Sequence, residues 1–165
     1  MDKKRILWIE DEVRRDVTEY AVPVFMDGRY DLIIAENASE GVASLLHDKS
    51  ASNKFAAVIV DIRLQPGDDP IWVKQFQDSG HTAISARLGL KILQDLVGEK
   101  TPVDRRLREL QIKKEQVGVF TIETEGELRT AQNPLSPLAY RQKTGDAPKT
   151  TLLDIIREIL GDQER

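Results

Sequence analysis

The chain of 165 residues contains no cysteine, which excludes disulfides, thiolate metal sites and cysteine nucleophiles. It has only two histidines, His47 and His81; they are not spaced as a metal pair, and His81 reads as a loop or cap residue. No long apolar run occurs. The stretch behind the charged start Met1-Asp2-Lys3-Lys4-Arg5 is too short for a signal peptide or a membrane span, which predicts a cytoplasmic protein. Positive charge is not in excess either. A net charge of −4 offers no field to nucleic acid or to an anionic membrane. Internal repeats and low-complexity linkers are absent. What is present, 40% hydrophobic and 32% charged residues, describes a globular chain whose length suits a single domain over 1–165 with a proper core.

The most informative stretch is Ala56-Ala57-Val58-Ile59-Val60-Asp61. An unbroken apolar run rich in β-branched residues suits a strand buried on both faces, as in a parallel sheet covered by helices. Asp61 is then either a plain strand terminator or a functional carboxylate at the sheet edge where open α/β folds bind their ligands.

Other strands deliver comparable chemistry. Arg5 to Ile9 predicts a first strand ending in Glu10-Asp11-Glu12. Val13, Val17, Tyr20-Ala21 and Val24-Phe25 have helical spacing, with Pro23 expected to kink or end the helix. Asp31 to Ala35 is a second strand, and Asn37 or Ser39 can cap a helix with Val42, Leu45 and Leu46 on its buried stripe. Residues 55–60 form the third strand. A turn-rich segment follows, and then a helix is expected from about Thr82 to Gly98, carrying Ile84, Leu88, Ile92, Leu93 and Leu96. Pro102 to about Lys114 is charge-dense and helical at its start, its arginines reading as a solvated face. Val117 to Thr121 is a fourth strand, Glu125 to Gln132 a short polar helix, Pro137 to Tyr140 a fifth strand followed by Lys143. Thr150 caps a last helix carrying Leu152, Leu153, Ile156, Ile159 and Leu160. Five strands alternating with helices predict a parallel sheet covered on both faces.

In such a sheet the carboxyl ends share one edge, which collects Glu10, Asp11, Asp61, Thr121 and Lys143. Three neighbouring carboxylates need protons or a cation. An oxygen-only set suits a hard divalent ion such as Mg²⁺. A lysine and a hydroxyl beside it can hold phosphoryl oxygens, and a carboxylate can be the nucleophile that forms an acyl phosphate.

These residues resemble a known pattern. Ile6-Leu7-Trp8-Ile9-Glu10-Asp11-Glu12, Val58-Ile59-Val60-Asp61, Gly89-Leu90-Lys91-Ile92-Leu93, Val119-Phe120-Thr121 and Tyr140-Arg141-Gln142-Lys143 are similar, in this order, to the receiver domain of two-component response regulators of the single-domain chemotaxis type. Tyr140 stands 19 positions after Thr121, close to family spacing. The resemblance covers roughly 1–64 and 88–160. It implies a flavodoxin-like, doubly wound five-stranded parallel sheet of order 2-1-3-4-5, and a signalling switch rather than a turnover enzyme. Asp61 would accept a phosphoryl group from a histidine kinase or phosphotransfer protein, with Mg²⁺ or Mn²⁺ as cofactor. Asp11 and Asp61 would hold the metal directly, Glu10 through water, and the Arg63 carbonyl as a further ligand. Thr121 and Lys143 would hold the phosphoryl oxygens, and Tyr140 would rotate inward on activation. That would repack the face made by the fourth helix, fifth strand and last helix, for a downstream protein partner or a second copy of the chain. No nucleic-acid or membrane partner is implied.

The chain departs from the family in several places. Thr144 stands where the family has a cis proline that aims the lysine, so Lys143 is expected to be aimed differently. Ile122 replaces a small residue and should narrow access to Asp61. Arg63 and Glu123, each two residues past a strand end, are expected either to pair across the site and shield the acyl phosphate or to stand as separate exposed charges. Asp61 and Thr121 are 60 positions apart, about thirty more than the resemblance calls for. The excess predicts insertions at about 65–87 and 99–116. The first carries Ile71, Trp72, Val73 and Phe76, either as a helix packed on the domain or as a partner-specific lid.

Two rival readings are a receiver-like adaptor that works without phosphorylation and a phosphohydrolase of the haloacid-dehalogenase type. The second wants another aspartate two positions after the nucleophile, where this chain has Arg63. If Arg63 shields the acyl phosphate, Arg63→Ala should shorten its lifetime a few-fold in a phosphate-release assay; an unchanged rate rejects the idea.

Overall fold

The computed structural model describes residues 2–12, 17–130 and 138–162. Five strands, β1 (Lys4–Ile9), β2 (Tyr30–Ala35), β3 (Phe55–Val60), β4 (Val117–Thr121) and β5 (Ala139–Gln142), form one sheet. All its pairings are parallel, in the order β2-β1-β3-β4-β5. Side chains alternate across a strand, and here both faces are covered. Leu7, Ile9, Val58 and Val60 enter one core layer, whereas Ile6, Trp8, Ala57 and Ile59 enter the other. This is why β1 and β3 read as unbroken apolar runs instead of alternating ones.

The larger layer is roofed by α2 (Ala38–Asp48), α3 (Pro70–Asp78) and α5 (Leu88–Val97). The other is roofed by α8 (Thr151–Leu160) and the segment ending in α1 (Val22–Asp27). A wider helical turn over Val17–Ala21 precedes α1. Pro23 lies in the first turn of α1, directly after the wider turn, where a proline is well tolerated, so it does not end the helix. Val24 is buried and Phe25 is half exposed, which halves the apolar pair expected there; Val13 lies outside the described residues. Asp27 joins this helix to α8: it accepts from Arg29 Nε at 2.6 Å and from Arg157 Nη2 at 3.0 Å.

Asn37 caps α2, accepting from the Glu40 amide at 2.9 Å. Ser39 does a different job, accepting from the Asp69 amide at 2.9 Å and donating to the Pro66 carbonyl. Residues 65–69 are thereby tied to the start of α2. Asp69 then caps α3 by accepting from the Ile71 amide at 3.0 Å.

Three expectations need correction. The helix expected from Thr82 to Gly98 is broken at Arg87, whose φ is +47°, into the single turn α4 (Ala83–Ala86) and α5. The break leaves Ile84 exposed instead of in register with Leu88. The arginines after Pro102 are not merely a solvated face. Arg108, the last residue of the short helix α6 (Arg105–Arg108), donates to the carbonyls of Gln94, Asp95 and Lys100 at 2.8–2.9 Å, satisfying acceptors at the end of α5 and just beyond it. Arg106 bridges Asp104 at 2.7 Å and Asp69 at 3.2 Å, clasping the two long stretches together. Finally, β5 lies two residues later than expected, because its register pairs Ala139 to Gln142 with Gly118 to Thr121. Pro137 lies outside the described residues, as do Ala131 and Gln132 of the expected polar helix, seen as α7 (Glu125–Thr130).

Trp72 is fully buried in the larger core with Leu107, and so cannot serve as a docking side chain in this arrangement. Val73 and Phe76 are half-buried and Ile71 lies at the edge of exposure. Trp72→Ala should therefore cost about 3–5 kcal/mol, against less than about 1 kcal/mol for Ile71→Ala, by urea unfolding. Equal losses would show that α3 does not anchor in the core.

Candidate functional site

Because all five strands run the same way, their last residues reach one edge, and hydrogen bonds beyond the strand ends set them in place. The Glu10 amide donates to Ala35 O at 2.9 Å, that of Asp61 to Ile9 O at 3.0 Å, and that of Lys143 to Thr121 O at 2.7 Å. Behind Asp61 the start of α5 comes so close that a Cβ on Gly89 would overlap the Asp61 carbonyl oxygen, and the Gly89 amide donates to Ile62 O at 3.0 Å. Only glycine allows this approach.

Glu10 and Asp61 are buried and Asp11 is half-buried. Each offers a carboxylate oxygen within 4.8 Å of the others. Lys143 is aimed into this cluster without a following proline. Its Nζ donates to Asp61 Oδ2 at 3.0 Å and also to Glu10 Oε2, so the misaimed lysine expected from Thr144 is not what forms. The β5 register does the aiming instead.

One ammonium among three carboxylates leaves negative charge in excess. Burial, and then the charge of Asp61, pushes the Asp11 carboxyl up to about 6 and raises Glu10 above the usual carboxylate range. Burial pulls Lys143 down, but Asp61 and Glu10 outweigh it and hold the ammonium above its ordinary value. The donor set is oxygen only and short of positive charge, which fits a hard divalent cation. Above the cluster opens a cavity of about 520 Å³ bordered by Asp11, Asp61, Arg63, Lys143, Ile84 and Ile122.

Thr121 is fully buried at the end of β4, next to β3. Its hydroxyl accepts from the Glu123 amide at 3.4 Å. Ile122 is 54% exposed and stands at the cavity. Arg63 Nε donates to Glu123 Oε2 at 3.1 Å, so these two charges are paired and Glu123 is buried. Tyr140 is half-buried and donates its hydroxyl to the Glu123 carbonyl; burial, then Glu125, pushes its phenol up to about 12. Sequence reasoning missed Arg87, which grips the same carboxylate with Nη2 donating to Oε1 at 2.6 Å. Nothing around position 87 marks it, because only the fold brings it to position 123.

No protein-family profile matches the chain, and no curated protein does. Solved structures do. The bacteriophytochrome response regulator AtBRR superposes with a TM-score of 0.55 at 17% identity, over 100% of this chain and 97% of that one. A CheY-like response regulator receiver domain from Methanospirillum hungatei gives 0.55 at 18%, over 97% and 95%. The phosphorylated cyanobacterial phytochrome response regulator RcpA gives 0.54 at 13%, over 97% and 91%. The chain has the receiver fold. At these identities the likeness is one of fold, and the order β2-β1-β3-β4-β5 is the flavodoxin-like order expected from the sequence. Within the receiver fold, the acidic cluster lies at the carboxyl edge of β1 and β3.

The raised carboxyls give a pH signature. A carboxyl raised on folding contributes stability that is complete below its unfolded pKa and is lost as pH rises through the folded value, for Asp11 from about 3.8 through about 6. Mg²⁺ should therefore raise the melting temperature more at pH 8 than at pH 5 in a thermal scan. Equal shifts would mean that the cation does not engage this cluster.

Proposed function

We propose that the chain is a phosphorylation-dependent signalling switch with Asp61 as the phospho-acceptor. The observation that carries this reading is the 3.0 Å contact between Lys143 Nζ and Asp61 Oδ2 inside a three-carboxylate cluster on the receiver fold. An oxygen of Asp61 attacks the phosphorus of a phosphohistidine on a histidine kinase or phosphotransfer protein. The P–O bond forms as the P–N bond breaks, and the departing imidazole takes up a proton. Lys143 holds one phosphoryl oxygen and the Thr121 hydroxyl turns to another. Asp11 and Asp61, Glu10 through water, and the Arg63 carbonyl would hold Mg²⁺ or Mn²⁺, which supplies neutralisation of phosphoryl charge. Water later cleaves the acyl phosphate, and Ile122 with the Arg63–Glu123 pair restricts its approach. This is self-modification followed by slow hydrolysis, not turnover of a substrate.

Movement of Thr121 towards the phosphoryl group draws on the Glu123 segment and on Tyr140, whose hydroxyl that segment holds. The face made by α7, β5 and α8 then changes for a downstream protein or a second copy of the chain. Phosphorylation biases two packings of one face. Among the described residues no helix is long and apolar enough to cross a membrane.

Incubation with Mg²⁺ and a small acyl phosphate, followed by intact mass measurement, tests this. A phosphate-sized adduct is expected in the native protein and should disappear in Asp61→Asn. Absence of any adduct would favour a phosphorylation-independent adaptor, and multiple-turnover phosphate release would favour a phosphohydrolase.

A further inference from the structure

The Glu123 carboxylate is buried and held from two sides. Arg63, just past β3, donates Nε to Oε2 at 3.1 Å. Arg87 donates Nη2 to Oε1 at 2.6 Å and Nε to both oxygens at 3.1 and 3.3 Å. The Glu123 amide and carbonyl meanwhile bind Thr121 and Tyr140. Arg87 is also the residue that ends α4, its amide donating to Ala83 O at 3.2 Å. Two α4 residues, Ala83 and Ile84, border the cavity above Asp61, and Ile84 is 64% exposed.

We propose that Arg87 is a positioning residue that couples α4 to the Thr121–Glu123 segment, so that the cavity mouth formed by Ala83 and Ile84 shifts when Asp61 carries a phosphoryl group. The proposal rests on the switch reading and adds where its output begins. Moving Glu123 away from a stationary Arg87 would strip a buried carboxylate of its strongest partner, which is costly; moving the pair together is not. Anchors elsewhere confine the motion. Residues 65–69 are held by Ser39, and α3 is held by buried Trp72. Between α3 and α4 lie Gly80 and His81, both with positive φ, and such short connections absorb hinge motion. The segment that responds is therefore residues 80–87.

Hydrogen exchange with Mg²⁺ and beryllofluoride, a phosphoryl mimic, tests the coupling. In the native protein, exchange should change by about fivefold both in 117–125 and in 80–90. Arg87→Gln keeps the backbone cost of a non-glycine residue at φ +47° and removes the charge; it should keep the response in 117–125 and lose that in 80–90. Arg87→Lys, with a cation but no two-pronged grip, should respond in between, and it replaces the Gln variant if that one does not fold. A native response confined to 117–125, or a full response at 80–90 without Arg87, overturns the coupling alone. No response in either segment of the native protein removes the switch reading and the coupling with it.

Discussion

The contact of Lys143 with Asp61 and Glu10 is what the rest of the structure is arranged to make tolerable. Buried carboxylates side by side repel one another and lose hydration. A single ammonium delivered from just past β5, on the far side of β4, offsets part of that cost. The parallel sheet solves the placement: β1 and β3 adjoin, so their terminal acids meet, and β5 lies one strand beyond β4, within reach of a lysine.

Around this charge balance the chain is closely packed where it supports the site and exposed at the cavity mouth, where Ile84 and Ile122 face solvent. Gly89 lets α5 press against the backbone of Asp61, and buried Trp72 seats α3 in the larger core. The long stretch after Asp61 is therefore built into the domain for most of its length. Its end is different. There Arg87, in an unusual backbone conformation, hands a guanidinium to Glu123, and Ile84 is left in solvent beside the cavity. Glu123 thus joins the β3 end and the inserted segment through its buried side chain, and the β4 end and the β5 aromatic through its backbone.

The sheet was legible in the sequence because strands buried on both faces must be apolar without interruption, as Ile6 to Ile9 and Ala57 to Val60 are. The strand-end residues Glu10, Asp11, Asp61, Thr121 and Lys143 were legible because a parallel sheet leaves only one edge for them. The break at Arg87 was not, since Ile84, Leu88 and Ile92 keep helical spacing across a turn that the backbone does not continue. Trp72 and Ile71 are adjacent and both apolar, and no pattern of residue types says which one enters the core.

The sequence by itself determined the sheet, its charged edge and the candidate chemistry, because those follow from local periodicity and from the end of each strand. Only the tertiary structure decided how Lys143 is aimed without a proline behind it, where Trp72 goes, and that Arg63 and Arg87 share Glu123. These are contacts between residues dozens of positions apart, and their geometry depends on strand register and helix packing that no local pattern encodes.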